Sequence, residues 1–492
     1  MPDTDVYPTQ QQEKLIRLSI CDTYSPKVWV TQTHFFPLKN QDDFIRIHEV
    51  LREGLKRTLD EIPALAGTIL RESDDPRDIS IKIENDSHIE FPREDLSQQE
   101  SIPSFSTLEA DGFPMKADLV WAFSKPETLT PTSEGARLLA VKLNLIKGGL
   151  ALSFGFNHLL ADASTVAEVE RIWSLHSADI SAGREQQRYK GEVDDSAIRS
   201  RLSKPSDGVG PFTDEHWKLF PTEFSQLHLS RTAVTKEAAL STLEQTKEAH
   251  LAALGGKVEK TLWAIWEFSP ESLVQLKKDA TGTDAAQWIS TMDALVGLFW
   301  SRFSAIKQKS KEGHDQSLLL FPINIRQRLQ PAIPAQYIGN AVDIVFAETS
   351  LAELEKSESG LQYAAREVRK AVAGYSTSAW AAWLTMAAGL PNDKAICPDP
   401  VRLLATHNLG FNDYSKSQSN TLDWGSDLGR AARTRYCKPA ASLAGCAPAV
   451  IVNPRLFDGG LEVATTVTEE LCAALQKDAV FEKYGKLTTA YL

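Results

Sequence analysis

Cysteine is scarce in this chain. Five occur among 492 residues (Cys21, Cys397, Cys437, Cys446 and Cys472), an odd number with no CxxC pair and no Cys/His ligand spacing. That excludes a secreted disulfide scaffold and leaves a metal site without support. Long apolar runs are missing as well. The longest, Ala379–Leu390, has 12 residues, against the roughly 20 that a membrane-spanning helix needs. The opening Met1-Pro-Asp-Thr-Asp5 has neither the basic start nor the apolar stretch of a signal peptide, so a cytoplasmic location is expected. Basic excess is absent too: Lys and Arg total 53 against 65 Asp and Glu, a net charge of −12. Nucleic acid and anionic lipid are therefore not expected partners. No GxSxG elbow, GxxxxGK[ST] loop, GxGxxG turn or HExxH helix occurs, and the ten histidines are scattered.

What is present suits a large globular protein, 42 % hydrophobic and 24 % charged, long enough for two or three domains. Lys27–Phe36 is aromatic and β-branched and predicts a strand; Phe44, Ile47, Leu51, Leu55 and Leu59 recur at helical spacing. Arg71–Ser87 reads as a surface hairpin. Leu138–Leu145 and Leu150–Phe156, joined through Gly148-Gly149, predict another hairpin, and Thr165 with Glu168 has the spacing of a capping box. Polar, aperiodic sequence from about Ser181 to Gly256 reads as a crossover. Strands at Thr261–Phe268, Ser317–Pro322, Ala449–Val452 and Gly460–Val467 follow, with helices from Asp293, near Leu361–Val372 and near Glu469–Lys477. The division predicted is 1–195, 196–256 and 257–492: two α/β (α+β) lobes joined by a crossover.

One segment carries chemistry: Ser153-Phe-Gly-Phe-Asn157-His158-Leu-Leu-Ala-Asp162-Ala163. A strand delivers His158 at its C-terminal end, where a ring can project into a cleft, and imidazole is the usual general base near neutral pH. Asp162 stands where the next helix begins, able to cap it and to pair with an arginine. HxxxD alone is a weak signal, and a half-buried structural histidine is its ordinary reading.

Further segments sharpen it: Asn324-Ile-Arg326-Gln-Arg328-Leu, Tyr337-Ile-Gly339-Asn340, Asp423-Trp424-Gly425, Ser290-Thr291-Met-Asp293, and Glu61-Ile-Pro63-Ala-Leu65-Ala66-Gly67. In this order and at these separations they resemble the BAHD acyl-CoA-dependent acyltransferases, nearest to the fungal branch with the trichothecene 3-O-acetyltransferases. The sequence departs from that pattern at Ala163, which replaces a glycine, at Ser426-Asp427 in the DFGWG position, and at Asn412-Asp413-Tyr414 where a Thr-Ser-Trp triplet is usual.

The resemblance implies two chloramphenicol-acetyltransferase-like lobes, mixed β-sheets flanked by helices, with a solvent channel between them. It implies acyl-CoA, with acetyl-CoA expected, as co-substrate, no permanently bound cofactor and no metal, and a small-molecule alcohol as acceptor; the chain is expected to be a monomer. His158 would be the base. Asp162 would support its turn by pairing with Arg326, or second with Arg328. Asn412 and Tyr414 are candidates for binding the oxyanion, and Trp29 and His34 for the acceptor pocket. Ser290, Thr291, Asp423, Trp424 and Gly425 are candidates for the CoA side. For His34 a structural histidine, for Trp424 packing and for Asp293 a helix start are the favoured readings beside these. N-acyl transfer, or cyclisation of a bound intermediate on the same fold, stays open.

Overall fold

A computed structural model describes residues 4–10, 12–130, 132–222, 229, 261–282, 288–307, 315–399, 408–437 and 449–491. Most of the expected crossover, and Cys446, lie outside the described residues. The strands that build the two main sheets are β1 (Trp29–Pro37), β2 (Arg93–Asp95), β3 (Leu139–Ile146), β4 (Gly149–Asn157), β5 (Thr261–Phe268), β6 (Gln316–Asn324), β7 (Val342–Ser350), β8 (Leu409–Asp413), β9 (Arg433–Cys437), β10 (Ala449–Val452), β11 (Leu461–Thr468) and β12 (Lys486–Tyr491). The helices that matter below are α1 (Phe44–Glu61), α2 (Ala163–Ser181), α3 (Asp195–Arg201), α4 (Thr291–Lys307) and α5 (Ser357–Ala373).

The first sheet has five strands in the order β9-β1-β4-β3-β2, the second seven in the order β7-β6-β8-β10-β11-β5-β12. Both mix parallel and antiparallel pairs: β3 runs parallel to β2 and antiparallel to β4, and β8 runs parallel to both β6 and β10. This is the mixed α/β architecture the resemblance implied.

Side-chain alternation along β1 assigns its two faces. Phe36, with Leu150, Leu152 and Phe154 of β4, packs beneath α1 and α2. Phe35 and Ala151 face the other way, onto Ile265, Ile451 and Ala464 of the second sheet. The helices α1 and α2 approach closely at Gly54, where a Cβ would stand 2.4 Å from the Ser177 hydroxyl. Helix α4 and α5 cover the outer face of the second sheet around Leu295, Phe299 and Leu361.

Several expectations need correction. The segment around Arg71–Ser87 does form a hairpin, Thr68–Arg71 with Ile79–Ile83, but Ile79, Ile81 and Ile83 are core residues. The N-cap of α2 is Asp162, not Thr165; Glu168 pairs with Arg171 instead. Strand β9, from the C-terminal half of the sequence, pairs antiparallel with β1 and completes the first sheet.

Candidate active site

His158 follows directly on β4. Its backbone N–H donates to the Val28 carbonyl (2.9 Å), so the sheet pins the residue where the strand ends. The chain then turns: Leu160 and Ala161 both donate to the Asn157 carbonyl, and the Asn157 side chain accepts from Leu159 N–H. The His158 carbonyl accepts from Asn340 Nδ2 (2.9 Å), and the residue is half-buried.

Asp162 closes the turn. Its Oδ1 accepts from the Ser164 and Thr165 amides (3.0 and 2.9 Å), capping α2. Arg326 approaches as a fork, Nη1 to Oδ2 at 2.6 Å and Nη2 to Oδ1 at 3.1 Å, and the Ala341 amide also donates to Oδ2. Both partners are only 2 % exposed. Burial by itself would raise the carboxyl pKa; the Arg326 charge and these donors outweigh it and hold the group below its ordinary value. The pairing expected from the sequence is therefore present, and the carboxylate is spent on structure around the turn.

The reason Arg326 reaches Asp162 and Arg328 does not is local. Strand β6 ends at Asn324, and the amides of Arg328 and Leu329 turn back to the Ile325 carbonyl. The turn sends Arg328 to the Val372 carbonyl and the Tyr375 ring. Arg326 points inward, also donating to the Gly339 carbonyl (2.8 Å) and lying 5.6 Å over the Tyr337 ring.

Three buried residues join this network in a way the sequence did not indicate. Thr165 Oγ1 donates to the Gly339 carbonyl. Asn340 bridges the His158 carbonyl to Asp22, whose Oδ1 accepts from both Asn340 nitrogens (2.7 and 2.9 Å). Asp22 in turn caps the helix start at Ser19. The Tyr337-x-Gly339-Asn340 segment was legible as a pattern; that it straps the histidine turn was not. Ala163, where a glycine is usual, is the first helical residue and exposed, so its methyl group meets no obstacle.

The remaining candidates scatter. Trp29 is buried at the end of β1, in register with Asn157 and thus beside the His158 turn. Asn412 is the half-buried penultimate residue of β8; the Tyr414 ring stacks on Tyr436 with centroids 4.0 Å apart, and burial pushes its hydroxyl up to about 12. His34 is fully buried on the helix-facing side of β1, contrary to a place in the acceptor pocket. Its Nδ1 meets Thr434 Oγ1 at 2.6 Å, and its Nε2 stands 3.8 Å from Glu170. Burial pushes its pKa down to about 3 and that of Glu170, which accepts from the Ser419 hydroxyl, up to about 8.

Trp424 offers no surface to a ligand either. It is fully buried against Trp173, Phe36 and His34. Gly425 (φ +96°) abuts the far end of α2, where a Cβ would meet Ser181 Oγ at 2.5 Å and Ala178 Cα at 2.9 Å. Ala178 lies about 24 Å along the helix from Asp162, at ~1.5 Å per residue. Asp423 accepts from the Gly425 amide and shapes that loop. Ser290 and Asp293 cap α4 reciprocally, and Asp293 also pairs with Arg369; Thr291 is the first helical residue. Among the described residues no cluster of His, Cys, Asp or Glu could hold a metal, and no helix is long and apolar enough to cross a membrane.

Comparison with known proteins agrees with this fold. The pattern of the Transferase family covers residues 4–388. Over 489 residues the chain is 39 % identical to acyltransferase clz6 of Cochliobolus lunatus, with 98 % of each covered. Over 499 residues it is 23 % identical to trichothecene 3-O-acetyltransferase TRI101 of Fusarium sporotrichioides, covering 97 % of this chain and 98 % of the other. The crystal structure of that TRI101 complexed with coenzyme A and T-2 superposes with a TM-score of 0.73 at 20 % identity, covering 96 % of this chain and all of that one. The chain belongs to the Transferase family, that of the BAHD acyltransferases, and is an acyltransferase.

Proposed function

We propose that the protein transfers an acyl group from acyl-CoA to a hydroxyl of a small-molecule acceptor, with His158 as general base. The observation that carries this reading is the buried fork between Arg326 and Asp162, which holds a strand-end histidine in a fixed turn while leaving the carboxylate no chemical duty. A structural neighbour crystallised with coenzyme A supports the donor class. The acetyl group and the oxygen acceptor are inferred from the resemblance to the trichothecene 3-O-acetyltransferases.

In this reading the imidazole takes the acceptor's O–H proton as the oxygen attacks the thioester carbonyl. The tetrahedral intermediate then breaks its C–S bond, and the proton passes from the imidazolium to the departing CoA thiolate. Atoms and charge balance without a covalent acyl-enzyme. Tyr414, whose hydroxyl burial keeps protonated at neutral pH, and Asn412 are assigned to the oxyanion, whose stabilisation is worth about 3–4 kcal/mol in such reactions. Trp29 is assigned to the acceptor side, and Ser290 and Thr291, at the start of α4, to the CoA side.

The test is release of free thiol from a panel of acyl-CoAs with candidate alcohols, the product identified by mass spectrometry. His158→Ala is expected to lower turnover at least about 10²-fold with the thermal melt unchanged. Near-native thiol release by the folded variant would remove His158 from the role.

A further inference from the structure

One groove is lined by residues that do not include His158. It encloses about 780 Å³ between the strand Lys14–Arg17, the turn after α1 and helix α3. Its lining is cationic in a chain of net charge −12: Lys14, Arg17, Lys190, Arg199 and Lys204 stand against Glu61, Asp194 and Asp195.

Those three carboxylates are already committed. Glu61 accepts from the amides of Tyr189 and Lys190 and meets His176 Nε2 at 2.7 Å. Asp194 accepts from the Ala197 amide, and Asp195 accepts from Lys190 Nζ and the Ile338 amide. Arg17 pairs with Asp78. Lys14 and Lys204 meet no carboxylate within ion-pair distance among the described residues.

Arg199 is the centre of the site. It is 6 % exposed, yet its Nε has no hydrogen-bond partner among the described residues. One terminal nitrogen donates to the Ile338 carbonyl (2.5 Å), and the guanidinium stands 5.8 Å over the Tyr337 ring. The buried anion that influences it, Asp22, has both oxygens occupied by Asn340 and Ser19. A guanidinium on the groove wall, beside two lysines that meet no carboxylate and an apolar wall of Ile62, Val193 and Ile338, fits an anion with an apolar body.

We propose that this groove binds a small amphipathic anion, its carboxylate or phosphate held by Arg199 with Lys14 and Lys204 and its apolar part laid on Ile62, Val193 and Ile338. Binding is read directly and does not depend on acyl transfer.

The experiment is calorimetric titration of the full chain with octyl phosphate and with octanoate, octanol serving as the uncharged control. One site per chain is expected, with octanol at least about tenfold weaker; the better of the two anions identifies the headgroup class. The Lys14→Ala/Lys204→Ala double variant, altered only at exposed positions, should bind several-fold more weakly and with a shallower salt dependence. Arg199→Leu, checked for folding by its melt, should lose binding at least about tenfold. Prior saturation with CoA should leave the titration unchanged. Equal binding of octanol, unchanged affinity in the lysine double variant, or displacement by CoA would each overturn the proposal.

Discussion

Asp162 and His158 differ in what their loss should do. Removing one partner of a buried ion pair leaves the other uncompensated, at a cost of about 3–5 kcal/mol. Asp162→Ala strands Arg326 and three amide donors, so it is expected to lower the melting temperature much more than His158→Ala; equal melts would contradict the structural role. Arg326→Lys should also be poorly tolerated, because an ammonium cannot reproduce the fork that reaches both carboxylate oxygens. Glu170 carries the opposite sign. Its folded pKa is pushed above the unfolded value, to about 8. The folded state therefore keeps a proton that the unfolded chain releases, and stability falls as pH rises from the unfolded value toward 8. Glu170→Gln, which keeps an acceptor for Ser419, should raise the melting temperature at pH 8 and leave it nearly unchanged at pH 4; a rise of the same size at both would remove the buried proton from the account.

At the scale of elements, α2 is the part that matters. Its N-terminus presents the histidine turn, and its far end is braced by the Asp423-Trp424-Gly425 loop. A left-handed backbone and a wall of α2 atoms both forbid a side chain at Gly425. Gly425→Ala is expected to cost about 1–3 kcal/mol, through strain and overpacking. Its activity loss should follow the fall in melting temperature, with KM for acyl-CoA unchanged. A raised KM at an unchanged melt would return this loop to the CoA side.

For the whole molecule, β9 is the link between halves. Besides pairing with β1, it carries Arg435, which donates to both oxygens of Glu462 on β11 (2.6 and 3.2 Å) and to the Gly112 and Phe113 carbonyls. The pair thus ties the two sheets together. Burial would raise the Glu462 pKa, but Arg435 and Arg433 hold it below its ordinary value. Its contribution to stability is present above the unfolded carboxyl pKa of about 4.3 and is lost as pH falls through the lower folded value. Glu462→Gln should therefore destabilise the protein at pH 7 and make little difference at the acid end of that range, measured by denaturant unfolding at each pH. Equal losses at both would show that charge is not what holds the sheets there.

The sequence by itself determined the strand–turn–helix that presents His158, the strand pair β3–β4, helix α1 and the helix start at Ser290 to Asp293, because periodicity, capping and turn chemistry act over a few residues. It also carried the family, through short segments in a fixed order. Only the tertiary structure decided between Arg326 and Arg328, since a turn after Asn324 separates side chains that an extended strand would have left on one face. Tertiary packing also moved His34 and Trp424 into the core: alternation along β1 says that His34 shares a face with Phe36, but not that α2 covers that face. The pairing of β9 with β1 is the clearest case. Its partners lie some four hundred residues apart in sequence, and no local pattern records a strand that closes a sheet begun at the other end of the chain.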